Sequence, residues 1–247
     1  MNFSSRFWTR HVALFTPILS ASILVAGCDL QSFGSDAEEE SYDISICGSE
    51  MRIPKSYFVV PPNFEDPPDA GFIVAAWPGL YGRPTDGEAY AKYAASNIGM
   101  LVTYNDCKRP YSEYIEKKFV DYTQGDAPSG RPRPPVERLD DWNGFEHFRR
   151  QRNERERRGF GAKFPHIDIF IRRDAQGHPE ALITCDGGTF KSGRHPQCDM
   201  LMVYPDNPAL HFDLNLNRDP HLEQVREIEP AIIALFRKFE AAAANNR

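Results

Sequence analysis

Residues 209–217, Ala209-Leu210-His211-Phe212-Asp213-Leu214-Asn215-Leu216-Asn217, alternate strictly between apolar and polar side chains. Successive side chains of a β-strand point to opposite faces, so Leu210, Phe212, Leu214 and Leu216 share one face. His211, Asp213, Asn215 and Asn217 share the other. A strand written this way buries one side and wets the other, the habit of antiparallel rather than parallel sheets.

Working back from this strand, Pro205-Asp206-Asn207-Pro208 is a turn, and Asp199 to Tyr204 reads as the strand before it. Glu180 to Cys185 is a further strand, and the turn "DAQGHP" separates it from His166 to Arg173. In "HIDIFIRR" Ile167, Ile169 and Ile171 alternate with polar neighbours, and Phe170 is the exception. Together these runs predict an antiparallel meander. Downstream, Asp219-Pro220 reads as an N-cap and first helical position. Leu222, Val225, Ile228, Ile232, Leu235, Phe236 and Phe239 then recur every three or four residues, which is one face of a helix. Pro230 inside that pattern should kink or split it. The predicted fold class is α+β: a meander whose apolar face is covered by a C-terminal helix.

Upstream lie shorter candidates. Tyr42 to Cys47 alternates with Ile44 and Ile46 on one face, and Lys55 to Val60 follows Pro54. Two apolar runs, Gly71 to Trp77 and Ile98 to Tyr104, read as buried strands. The alanine-rich stretch Asp86 to Ala95 suits one or two helical turns. Residues 121–165 change character. Turn-forming "TQGDAPSGRPRPP" is followed by "FRRQRNERERRG", and Arg131 to Lys163 holds ten basic and six acidic residues. So dense a charge run predicts a solvated helix or mobile loop, or an insertion that touches a partner.

At the N-terminus Arg6, Arg10 and His11 precede 16 uncharged residues, Val12 to Gly27. A helix needs about 20 apolar residues to span a bilayer, so this is a signal-peptide pattern instead. Val25-Ala26-Gly27-Cys28 resembles the bacterial lipobox, which implies cleavage before Cys28 and its lipidation, palmitate included. By resemblance to the enteric sorting rule, Asp29 implies retention at the inner membrane. Gln31 to Ser41 is polar and acidic, suited to a disordered tether. The expected organisation is therefore a lipoprotein signal peptide at 1–27, lipidated Cys28 with a flexible tether over 28–41, and a single α+β domain over 42–247. The last carries the charged insertion at about 121–165.

Cleavage would remove Arg6 and Arg10 and no acid, leaving 27 basic and 35 acidic residues, net −8. That balance argues against a nucleic-acid binder and favours a basic partner. With Cys28 assigned to lipid, Cys47, Cys107, Cys185 and Cys198 remain, an even number that suggests two disulfides in an exported domain. Three pairings are possible. The favoured one joins Cys185 to Cys198 across 12 intervening residues and Cys47 to Cys107. A rival reading is zinc held by Cys185, His195 and Cys198, with His211 beyond.

No Gly-x-Ser-x-Gly elbow, phosphate loop, His-Glu-x-x-His motif or internal repeat is present, and no cofactor or metal is expected. His211 and Asp213 share a polar strand face and read as a solvent-facing pair rather than a dyad. Lys191, Ser192 and His195 fall in the loop between Cys185 and Cys198 without an indicated third group. "WPGLYGRP", Trp77 to Pro84, leaves a buried strand and enters a Gly/Pro turn. Trp77, Leu80, Tyr81 and Arg83 there have the composition of an interface anchor, against the alternative of packing back on the core.

"CDMLMVYPDNPALHFDLNLNRDPHLEQVREIEPAIIALFRKF" and the earlier "CGSEMRIPKSYF" resemble small Gram-negative lipoproteins encoded beside type VI secretion phospholipase effectors. The matching pieces are a hydrophobic pattern with cysteine placement; residues 121–165 match no part of it. These relatives are immunity proteins. The resemblance implies a periplasmic chain, tethered to the inner or outer membrane, that binds a toxic effector and occludes its active site without catalysing a reaction itself. The contrasting expectation is an envelope lipoprotein with a structural or scaffold role.

Overall fold

A computed structural model describes residues 40–60, 72–103, 107–124, 134–153, 156, 164–187, 197–217 and 221–245, all within the compact unit Glu39–Arg247. Cys28, most of the expected tether and the 188–196 loop with Lys191, Ser192 and His195 lie outside the described residues.

The alternating stretch is a strand, as its pattern dictates. In chain order the strands are β1 (Ser41–Ile46), β2 (Ser49–Pro54), β3 (Phe58–Val60), β4 (Phe72–Ala76), β5 (Asn97–Thr103), β6 (Val136–Trp142), β7 (Phe145–Gln151), β8 (His166–Arg173), β9 (Pro179–Gly187), β10 (Gln197–Val203) and β11 (His211–Asn217). The helices are α1 (Gly87–Ser96), α2 (Ser112–Gln124) and α3 (Val225–Ala244). β1 and β2 form a hairpin of their own, closed by Cys47 and Gly48, both at positive φ. The other nine strands make one antiparallel sheet, ordered β3-β4-β5-β11-β10-β9-β8-β7-β6. β8 to β11 is the predicted meander.

Leu210, Phe212, Leu214 and Leu216 are fully buried on one side of the sheet, in one core with Met200, Met202 and Ile183. Each large apolar side chain removed from water contributes about 1.5–3 kcal/mol. The cover is the apolar stripe of α3, Val225, Ile228, Ile232, Leu235, Phe236 and Phe239, together with the β1–β2 hairpin. This bears out the predicted layering. Pro230 sits inside α3 without splitting it. The helix α3 begins at Val225, with Gln224 in the capping position, and Asp219-Pro220, read as an N-cap and first helical position, lies outside the described residues.

The opposite face is not simply wet. α2 lies across β9, β8 and β7, burying Ile115 with Ile167, Ile169, Ile171 and Leu182. Phe170, the exception to the alternation, belongs to the α3 side, so β8 is buried on both faces. Farther along, α1 covers β4, where Tyr93 packs on Val74 and Ala76.

Two sequence expectations are corrected. Much of the segment expected to be a solvated helix or loop is the β6–β7 hairpin, which completes one edge of the sheet. Its turn is Asn143-Gly144, both at positive φ, the two-residue connection such hairpins favour. Three of its described arginines are neutralised rather than solvated: Arg149 pairs with Asp168, Arg150 with Glu156, and Arg152 with Asp186. Second, His211 does not face solvent. It is 4% exposed, because Tyr111, just ahead of α2, lies on its ring.

Both favoured disulfides are present, Cys47–Cys107 and Cys185–Cys198. Cys185 and Cys198 are direct cross-strand neighbours on β9 and β10.

Candidate interaction surface

The loop after β4 is held at several points. Ala76 N–H donates to the Tyr81 carbonyl at 3.0 Å, and Arg83 N–H donates to the Ser56 carbonyl at 2.7 Å. The Tyr57 hydroxyl donates to the Leu80 carbonyl at 2.8 Å, and Trp77 Nε1 donates to Gln224 Oε1 at 2.8 Å, which ties the loop to the start of α3. Gly82 is obligatory here, since a Cβ on it would stand 2.3 Å from Ser56 Oγ.

That bracing sorts the four residues of the predicted anchor. Leu80 is corrected: at 5% exposure it belongs to the core, its apolar side chain folded inward by a positive-φ turn. Trp77 is half-buried and packed against the core. Tyr81, at 44% exposure, and Arg83 remain on the surface. Tyr81 is joined by two tyrosines of α1 that the sequence reading passed over. Its ring lies 6.4 Å from Tyr93, which lies 6.0 Å from the exposed Tyr90. The available signal was two tyrosines three apart on a helix, which share a face. Burial pushes the Tyr93 hydroxyl up to about 12, and it donates to the Val74 carbonyl.

On this same face, between α1 and α2, the middle strands β11 and β10 carry Gln197, Asp199 and Asn215 exposed and Asp213 half-buried. Asp199, Asp213, Thr184 and Leu201 line a cleft of about 260 Å³ with Tyr114, Lys118 and Tyr122 of α2. Burial and the neighbouring Asp186 push the Asp199 carboxyl above its usual range. Burial and Asp199 do the same to Asp213, partly offset by Lys118.

On the α3 side, Asp168 is fully buried. It accepts from Arg149 Nε at 2.8 Å and lies between His147 Nε2 at 3.3 Å and His166 Nε2 at 3.6 Å. This cluster neutralises a buried carboxylate. The zinc alternative does not survive, because both thiols are consumed in the disulfide and His211 occupies the opposite face of the sheet. His195 lies outside the described residues. His211 and Asp213 share a face as predicted, but His211 is covered.

No protein-family model matches the chain, and no curated protein matches it in sequence. Among solved structures it is similar to Smlt3025, an immunity protein of the Stenotrophomonas maltophilia type IV secretion system. That match has a TM-score of 0.56 at 16% identity and covers 81% of this chain and 93% of that one. A second match, the Neisseria meningitidis iron-regulated outer membrane lipoprotein FrpD, has a TM-score of 0.41 at 12% identity and covers 82% of this chain and 93% of that one.

Proposed function

We propose that this chain is an immunity protein that binds a secreted toxin and blocks it. The observation that carries the reading is a fold shared, over most of both chains, with an immunity protein of a secretion system. The resemblance of the C-terminal stretch to immunity lipoproteins supports it independently. Two disulfides suit an oxidising compartment outside the cytoplasm. Catalysis is not part of the proposal; function in a rigid scaffold of this kind sits on the loops and surfaces it presents.

The finer proposal follows the sequence. Lipidation of Cys28 would hold the domain at a membrane facing the periplasm, where a toxin that attacks lipid does its damage. Several acyl chains, each contributing about 0.8 kcal/mol per buried methylene, hold such an anchor stably. The proposed target is a type VI phospholipase effector. The structural neighbour is an immunity protein of a type IV system.

The test is direct. Purified residues 28–247, mixed with a type VI phospholipase effector, sought first among the products of neighbouring genes, should co-elute one-to-one and abolish release of fatty acid from phospholipid vesicles. A chain that leaves the lipase fully active, or that itself hydrolyses lipid or peptide, rejects the reading. Cys28→Ser should leave unprocessed protein that does not label with palmitate, and normal processing in that variant rejects the anchor.

A further inference from the structure

β10 and β11 lie in the middle of a nine-stranded sheet, yet among the described residues Gln197, Asp199 and Asn215 on one of their faces are exposed. The cover on that side is α1 over β4 and α2 over β9, β8 and β7. Four inter-strand steps separate β4 from β9, about 19 Å at about 4.8 Å each. A helix with its side chains is about 10 Å across, so the gap left between α1 and α2 accepts one extended segment or one helix. The gap is closed at one end, where Tyr111 and Tyr114 reach over His211 at the start of β11. Among the described residues it opens toward Gln197 and Asn215. Its floor is polar and its net sign is negative. Arg152 neutralises Asp186, whereas no ion pair among the described residues reaches Asp199 or Asp213. The cation on the wall, Lys118, is engaged with Tyr114, its ammonium 5.2 Å from that ring centroid. Partly desolvated carboxylates with only the partial counter-charge of Lys118 destabilise a fold, and a cation supplied from outside relieves that cost.

We propose that this open strip of sheet, floored by Asp199 and Asp213 between α1 and α2, is the docking face for the toxin, and that the segment seated there carries arginine or lysine. The inference rests on the immunity reading and deepens it. Tyr81 and Tyr90 stand on the α1 side of the same face, Tyr114 and Tyr122 on the α2 side, so a cationic segment meets an acidic floor between aromatic walls. Electrostatic complementarity of this kind speeds encounter and selects the partner.

The experiment measures the affinity of the same phospholipase effector for the wild-type chain, for D199N with D213N, and for D140N with E137Q on the far edge strand β6, each at low and moderate salt. The floor variant should bind at least tenfold more weakly and lose most of the wild-type salt dependence, while the β6 variant binds as wild type. The floor variant's melting temperature should be equal or higher, because two carboxylates outside any ion pair among the described residues are gone. Lipase bound equally well by wild type and floor variant overturns the docking face and leaves the immunity reading standing. No binding by the wild type overturns both. A wild-type chain that sediments as a dimer, tightened by D199N with D213N, shows the strip to be a contact between two copies and overturns the cationic partner.

Discussion

Tyr111 lies flat on His211, their ring centroids 3.3 Å apart and their planes within 5° of parallel. The contact fastens the start of α2 to the start of β11, and burial lowers the imidazole pKa to about 3. An unfolded histidine titrates near about 6.5, so below that pH the unfolded chain binds the extra proton and the folded chain does not. Stability from this group is whole above about pH 6.5 and is lost as pH falls toward 3, at up to about 1.4 kcal/mol per pH unit. Urea midpoints measured across that window should fall with pH. His211→Phe keeps a stacked ring and removes the proton site, so its profile should be flatter. An identical slope in the variant rejects the assignment.

Reduction separates two staples of different reach. The residues joined are 13 apart in sequence for Cys185–Cys198 and 60 apart for Cys47–Cys107. The loop-entropy relation gives about 3 kcal/mol for the shorter and about 4 kcal/mol for the longer. Denaturant titration of C185A with C198A, and separately of C47A with C107A, should show both losses, the second at least as large. Equal stability with and without reductant in the parent chain would contradict both.

Arg150 is 2% exposed, and Glu156 accepts from both of its terminal nitrogens, at 2.9 and 2.7 Å. Removing one partner leaves a buried charge, so Glu156→Ala should cost roughly 3–5 kcal/mol. Replacing both with methionine should recover most of that loss. A double variant as unstable as the single one would show that Arg150 matters through packing, not charge.

Tyr81→Ala with Arg83→Ala removes the exposed part of the braced loop. Truncating an interface anchor typically costs about 2 kcal/mol or more, a loss of about thirtyfold in affinity for the toxin. Because both side chains are on the surface, the thermal transition should stay cooperative and near its original temperature. Gly82→Ala works differently: the new Cβ meets Ser56, the loop must shift, and stability should fall together with affinity. Unchanged affinity in the double variant would remove this loop from the interface.

Much of this was legible where one physical rule acted alone. "LHFDLNLN" put all its apolar residues on one face, and the α3 stripe had a single period, so strand, helix and their contact followed from pattern. "FRRQRNERERRG" failed because two rules crossed. Arg149 and Arg150 lie on β7 and Arg152 just beyond it, paired with Asp168 of β8, Glu156 and Asp186 of β9, which no local pattern reveals. The neighbouring "WNGF" carried the missing signal, since Asn-Gly between two strand-like runs is a hairpin turn. His211 was misplaced for a related reason. A polar residue on an alternating strand reads as wet until a helix from elsewhere in the chain covers it. Leu80 looked exposed because Gly and Pro surround it, yet a turn can fold one apolar side chain inward while leaving its neighbours outside.

The hairpin at the start of the domain has a mechanical consequence. Asn207 Nδ2 donates to the Cys47 carbonyl and to Ser49 Oγ, each at 3.0 Å, and Cys47 is bonded to Cys107. A pull applied through the N-terminus loads β1 first and peels it from β2. From Glu40, the slack that peeling can release before the force reaches the Cys47–Cys107 bond is the chain up to Cys47, roughly 27 Å when extended. Beyond that point the load passes through a covalent link into the segment between β5 and α2, bypassing β2, β3 and β4. A domain dragged by a moving membrane would thus yield by one short, reversible step and then hold.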